Sequence, residues 1–201
     1  MKKWLPLIII VVLLIIGYSW GKGINNTAVV NQETAKASWS NVESAYQRRS
    51  NLIRNLVNTV KGAADFEKST LTEVINARAK ATSVNIDAGN LNAANIAQFQ
   101  QAQSGLTGAL SKLLVSVERY PELKANQNFL ELQSQLEGTE NRIKMEIDRF
   151  NKDVKNYNIH IKKFPNSILA GWFGFEGMEL FKAKEGADEV PVVDFNSDKK
   201  E

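Results

Sequence analysis

Cysteine is absent from this 201-residue chain, which excludes a disulfide framework, a thiolate nucleophile, a thiolate metal site and a lipid-bearing cysteine. Histidine occurs once, at His160. One imidazole supplies neither a multi-histidine metal centre nor the two Glu-x-x-His motifs of a di-iron bundle, and it gives a histidine-driven triad no support. A glycine-rich phosphate loop and a nucleophile elbow are also missing. Carboxylate pairs such as Glu137 with Glu140 do share a helix face, an arrangement suited in principle to acid–base work or an oxygen-liking metal. No catalytic, cofactor-binding or metal-binding residue follows from this inventory. The formal charge is +3, yet Lys2, Lys3 and Lys22 flank the N-terminal apolar run, and the remaining 22 basic residues match the 22 acidic ones. The folded part therefore lacks the basic surface that a nucleic-acid binder needs.

What the chain has in quantity is helical periodicity. From Asn126 to Phe164, the residues Phe129, Leu132, Leu136, Thr139, Ile143, Ile147, Phe150, Val154, Tyr157, Ile161 and Phe164 recur at gaps of three and four. That is the seam of a long helix packed along a partner, and Pro165 stops it. At 1.5 Å per residue its length is roughly 58 Å. A second stripe of the same kind runs through Ala35, Trp39, Val42, Tyr46, Arg49, Ile53, Leu56, Val60 and Ala63. A helix from Thr27 to Gly62 would be about 54 Å long, so the two are expected to be partners.

The N-terminal segment, Trp4 to Trp20, is almost unbroken Leu, Ile and Val from Leu7 to Ile16. Roughly eleven such residues at about −0.5 kcal/mol each favour membrane insertion by about 5 kcal/mol. Ile9 and Leu13 lie in its middle, and Trp4, Tyr18 and Trp20 stand where interfacial aromatics belong. Lys2, Lys3 and the amino terminus outweigh Lys22, which keeps the N-terminus cytoplasmic and places the rest outside. A cleaved signal peptide has an apolar core of similar length, but no small-x-small site follows the run cleanly. Gly21, Gly23, Asn25, Asn26 and Thr27 are expected to loosen the chain at the membrane exit.

Between the long stripes lie a shorter helical pattern, Phe66 to Ser83, a polar turn-prone stretch, Asn85 to Asn95, and a helix through Phe99, Leu106, Leu110, Leu113, Leu114 and Val117, closed by Tyr120-Pro121. Asn95 with Gln98 resembles a capping pair. The expected fold is all-α: a transmembrane helix, then an antiparallel up-down-up-down four-helix bundle with two long helices. The corresponding domains are residues 1–22 (N-terminus and anchor), 23–165 (bundle) and 166–201 (aromatic segment, short helix from Glu176 to Gly186, and extended tail through Val190–Phe195). Such a topology returns the last long helix to the membrane. Ile168, Trp172, Phe173 and Phe175 would then either plug the end of the bundle or meet the lipid interface or a partner.

Among the polar residues, Arg49 falls inside an apolar stripe, where an unpaired guanidinium is costly. Glu140 is the natural carboxylate to face it, with Asn55, Asn141 and Arg142 as further polar residues nearby in sequence. The set reads as a register-fixing pair, or else as a polar pocket for an anionic ligand.

Several short motifs then carry a family resemblance across nearly the whole chain. They are Tyr46-Gln47-Arg48-Arg49, Asn55-Leu56-Val57, Val60-Lys61-Gly62, Ala77-Arg78, Tyr120-Pro121-Glu122-Leu123-Lys124-Ala125-Asn126, Thr139-Glu140-Asn141-Arg142-Ile143, Tyr157-Asn158, Phe164-Pro165-Asn166, Phe173-Gly174-Phe175 and Pro191 to Phe195. As a set they resemble the LemA family of bacterial membrane proteins. Arg54 departs from the family's frequent proline, which leaves an expected kink in the first helix without its cause. The resemblance implies an N-terminal transmembrane helix and a helical bundle facing the periplasm or cell exterior, on the bacterial inner (plasma) membrane. It implies no established catalysis, and links instead to envelope processes, magnetosome membranes, and neighbours such as membrane proteases and TPM-domain proteins. The expected function is a non-enzymatic, single-pass scaffold or interaction protein of the envelope. Its partners would be lipid, envelope membrane proteins and a second copy of itself, with no cofactor. The alternative is a lipid-binding or membrane-shaping module acting through the aromatic segment.

Overall fold

One helix, α1, runs without a break from Leu5 to Lys61 in the computed structural model, which describes residues 4–62 and 66–181. It is followed by α2 (Lys68–Ser83), α3 (Ala93–Val117), a single turn α4 (Pro121–Lys124), α5 (Gln127–Lys162) and α6 (Asn166–Trp172). No strand occurs among the described residues. At 1.5 Å per residue α1 is about 85 Å long, far more than a bilayer core. The apolar side chains from Leu7 to Ile16 are exposed, as a lipid-facing span requires.

The expected loosening at Gly21 to Thr27 does not occur. Ile24 and Ala28 are buried there, Ala28 packing with Tyr157, Ile161 and Ala170, and the Thr27 hydroxyl donates to the Gly23 carbonyl at 2.9 Å. Tertiary burial on one face outweighs the weak helix propensity of Gly and Asn. The boundary drawn between residues 22 and 23 thus falls inside a continuous helix. Ala63, the last residue of the expected stripe, lies outside the described residues.

α5 lies antiparallel along α1, and its buried stripe is Phe129, Leu136, Thr139, Ile143, Glu146, Phe150, Val154, Tyr157 and Ile161. This is the seam read from the sequence, with three changes. Leu132 is only half-buried. Glu146 is buried beside the half-buried Ile147, and Phe164 is exposed because α5 ends at Lys162 and the chain turns away. The short hairpin of α2 and α3 covers the distal part of this pair, and the start of α3 reaches its middle. At the distal end, Ile53, Leu56, Val57 and Val60 pack with Leu71, Val74, Leu106, Leu113 and Phe129. In the middle, Trp39 meets Phe99 and Phe150 edge-on at centroid distances of 5.4 and 5.3 Å. Such contacts add about 0.5–1.5 kcal/mol each beyond burial.

Helix caps explain the remaining boundaries. Asn92 Oδ1 accepts from the Asn95 amide at 2.9 Å, so the cap of α3 is Asn92 and not Asn95 with Gln98. Asn126 does the same for α5 through the Phe129 amide at 3.2 Å; each satisfies one donor that the first turn leaves free. The turn-prone stretch before α3 also contributes Ile86 and Leu91 to the core around Trp39. The short C-terminal helix is α6, not Glu176 to Gly186. Residues 175–181 run irregularly along α5, and 182–186 lie outside the described residues, as does Val190–Phe195.

Candidate functional site

Two places gather the residues singled out by sequence. The first is at mid-bundle, on α1. Arg49 is 3% exposed, and its guanidinium is tied on three sides. Nη1 donates to Glu140 Oε1 at 2.9 Å and to Thr107 Oγ1 at 3.3 Å. Nη2 donates to Gln103 Oε1 at 2.5 Å, and Gln103 passes the link on to the Ala81 carbonyl at 3.3 Å. The Tyr46 ring lies under the guanidinium, 4.8 Å from its centroid, a cation–π contact. One side chain therefore joins α1, α3 and α5. Burial raises the Tyr46 phenol to about 12, with Arg49 pulling it down and Glu140 adding a smaller upward push. Such a phenol stays neutral and is no base.

Glu140 keeps a 47% exposed side chain, so the ion pair is buried at one end and wet at the other. The other three polar candidates do not join it. Asn55 and Asn141 are exposed, and Arg142 turns along its own helix to Glu146 Oε1 at 2.7 Å. Gln103, Thr107 and the Tyr46 ring were not assigned to this node from the sequence. A signal existed for Gln103, a polar residue set between Phe99 and Leu106 on the apolar stripe of α3. A groove of about 500 Å³ opens beside the node, between α3 and α5, lined by Thr107, Ile143, Lys144, Ile147 and Phe181 among others. Arg49 commits both terminal nitrogens to Glu140, Thr107 and Gln103 and one face to the Tyr46 ring, while its buried Nε has no hydrogen-bond partner among the described residues.

The second place is the base of the bundle, where α5 comes back to α1. His160 Nε2 lies 3.0 Å from the Ile24 carbonyl oxygen, a contact that a ring N–H donates. The Leu169 side chain of α6 sits over Gly21, 3.8 Å from where a Cβ would stand. Asn166 Nδ2 donates to the His160 carbonyl at 3.0 Å and, with Ala170, anchors the buried side of α6. The opposite side is apolar and uncovered. Trp172 is 82% and Phe164 81% exposed, and Ile168 and Phe173 are also exposed. Phe175 differs: it packs inward against Ala28, Tyr157 and Ala170. The aromatic segment is thus divided, one ring plugging the bundle and the others facing out. Trp20, with Ile9, Leu13 and Trp4 further along, continues the same exposed apolar surface down α1. Lys22, Lys162 and Lys163 stand exposed beside it.

Among the described residues, no three His, Asp or Glu side chains converge on a point that would hold a metal. Magnetosome protein MamQ of Magnetospirillum gryphiswaldense is 29% identical, over 84% of this chain and 68% of its own length. Magnetosome protein MamQ 2 of Paramagnetospirillum magneticum is 28% identical over the same shares. Protein LemA of Metamycoplasma hominis is 22% identical, over 81% of this chain and 71% of its own. The LemA family pattern matches residues 38–195, from the middle of α1 through α6 and beyond. The chain belongs to the LemA family.

Proposed function

We propose that this protein is a non-enzymatic scaffold, anchored by one span and seated on the bilayer by the apolar base of its bundle. The observation that carries the proposal is the meeting of α1 with the end of α5 at Ile24, through His160, and with α6 at Gly21, through Leu169, immediately beyond the apolar span. It leaves Phe164, Ile168, Trp172 and Phe173 uncovered at the level of Trp20. In water, exposed rings of that size would each forgo about 1.5–3 kcal/mol of burial; at a lipid interface they recover much of it. The adjoining lysines suit anionic headgroups, at about 1 kcal/mol per residue near the surface. In this reading the bundle stands upright outside the membrane with its N-terminus in the cytoplasm, presenting the sides of the α1–α5 rod to other envelope proteins. Two relatives are named for the magnetosome, a name of place and not of reaction, which fits a structural component. Lipid seating of this kind also serves the membrane-shaping alternative, and the same rings carry both.

The natural absence of cysteine makes the test direct. Single cysteines replacing Phe164, Trp172 or, at the distal end, Asn128 are placed in the full chain in intact cells. They are treated with a membrane-impermeant maleimide added outside. Asn128→Cys should label rapidly, and Trp172→Cys and Phe164→Cys at least several-fold more slowly until the membrane is dissolved. Equal labelling at all three positions would reject seating on lipid, and no labelling of Asn128→Cys without cell lysis would reject the orientation.

A further inference from the structure

A cleft of about 540 Å³ lies directly between α1 and α5 at mid-bundle, with no residue of α2 or α3 in its walls. Its charged lining is of one sign. Arg48 comes from α1 and Arg142 from α5, and no carboxylate among the described residues lines it. The Arg49–Glu140 ion pair and the Ser38–Asp153 hydrogen bond set the register of the antiparallel helices, which brings Arg48 level with Arg142. Two guanidinium charges facing one cleft repel each other, and an anion between them relieves the repulsion.

The two arginines differ in how they are held. Arg48 is exposed and has no hydrogen bond or ion pair among the described residues. Arg142 Nε donates to Glu146 Oε1 at 2.7 Å, and that carboxylate is 4% exposed. A buried acid thus orients one guanidinium through its inner nitrogen and leaves the outer pair of N–H groups for another partner. The hydroxyls of Ser44 and Thr139 are spent on carbonyls of their own helices, at 2.8 Å each. The free donors are therefore the guanidiniums and the Asn41 amide, which is exposed and has no bond among the described residues. Gly138 stands one turn from Arg142 in the same wall, inside α5, where glycine is a poor helix former. A Cβ there would meet nothing within 4 Å, so the packing of this chain does not require the glycine. Its bareness keeps the wall beside Arg142 clear.

We propose that this cleft binds a small dianion through Arg48 and Arg142, either a phosphate monoester or a dicarboxylate. Both carry two negative charges to match the two arginines, and both offer oxygen edges that a guanidinium fork grips in pairs. The site is separate from the apolar base of the bundle. Arg48 lies about 42 Å along α1 from Trp20, beyond the reach of lipid headgroups for a bundle standing upright.

Calorimetric titration of the full chain in a neutral detergent tests this with two probes, glycerol phosphate and glutarate. At least one should saturate a single site, and whichever does so names the source of the charge. Arg48→Gln breaks no bond among the described residues. It should weaken that binding about ten-fold or more and leave the urea midpoint unchanged or higher. Gly138→Leu should fill the cleft and abolish binding while the helical circular dichroism signal is kept. Lys144→Gln, which removes an exposed cation from the α3–α5 groove, should bind as the parent does. No saturation by either dianion at millimolar concentration would overturn the site. Equal weakening by Lys144→Gln and Arg48→Gln would replace it with a diffuse basic surface, and binding indifferent to Gly138→Leu would put the anion elsewhere.

Discussion

Arg49 carries a permanent charge at 3% exposure, and its environment decides what losing each partner costs. Glu140→Gln removes a partner that is already half in water, and Gln103 and Tyr46 remain; about 1 kcal/mol of stability should go. Arg49→Ala leaves a cavity and strips Gln103 of its partner, for about 2–4 kcal/mol. Urea unfolding in detergent would check both, and a larger loss for Glu140→Gln than for Arg49→Ala would contradict the geometry. Two further groups give pH signatures. The Tyr46 phenol is raised from 10 to about 12. An acid held protonated by the fold adds stability below its unfolded value and loses it as pH climbs through the folded one. Stability should therefore fall by about 2–3 kcal/mol between pH 10 and 12 through this group, and Tyr46→Phe should flatten that limb. Glu43 is raised chiefly by burial, with an added push from Asp87, against weaker help from Trp39 and the Ile86 backbone. By the same sign its ionisation costs stability at neutral pH. Glu43→Gln should raise the urea midpoint at pH 7 and bring no gain well below the ordinary carboxyl value of 4.5. The pairing of Arg49 with Glu140 was legible because a charge in an apolar stripe demands a partner. The absence of Asn55, Asn141 and Arg142 from the node was not, since sequence neighbours on a helix point to different sides.

At the scale of elements, α1 shows where local propensity and tertiary packing disagree. Glycines and asparagines at the membrane exit argue for a break, yet the helix passes through because Ile24 and Ala28 are pinned by the end of α5 and by α6. A Cβ on Gly23 would meet nothing within 4 Å, and one on Gly21 would make an ordinary contact with Leu169. Gly21→Ala and Gly23→Ala should therefore each leave the fold intact and add up to about 1 kcal/mol. A lower melting temperature for the double variant would show that a hinge is needed there after all. The long helices were readable because eleven periodic positions leave little doubt about period. α6 was not, since seven residues with a glycine and three large apolar side chains give no period to measure.

For the whole molecule, the sequence indicated the up-and-back path through the matching lengths of two stripes, and the structure adds how unequal the four helices are. α2 and α3 cover the distal part and the middle, and near the apolar span α1 and α5 are joined instead by α6 and the segment after it. That places the exposed rings of Phe164 and Trp172 beside the anchor, which is the basis for a bundle resting on lipid. Spin labels on cysteines at Asn25 and Phe164, and separately at Asn25 and Asn128, measure this arrangement in the full chain by pulsed electron resonance. The first pair should lie within about 25 Å, and the second about 50 Å apart, the length of α1 from the membrane exit to its far end. A long distance for Asn25 with Phe164, or a short one for Asn25 with Asn128, would contradict the return of α5 to the membrane.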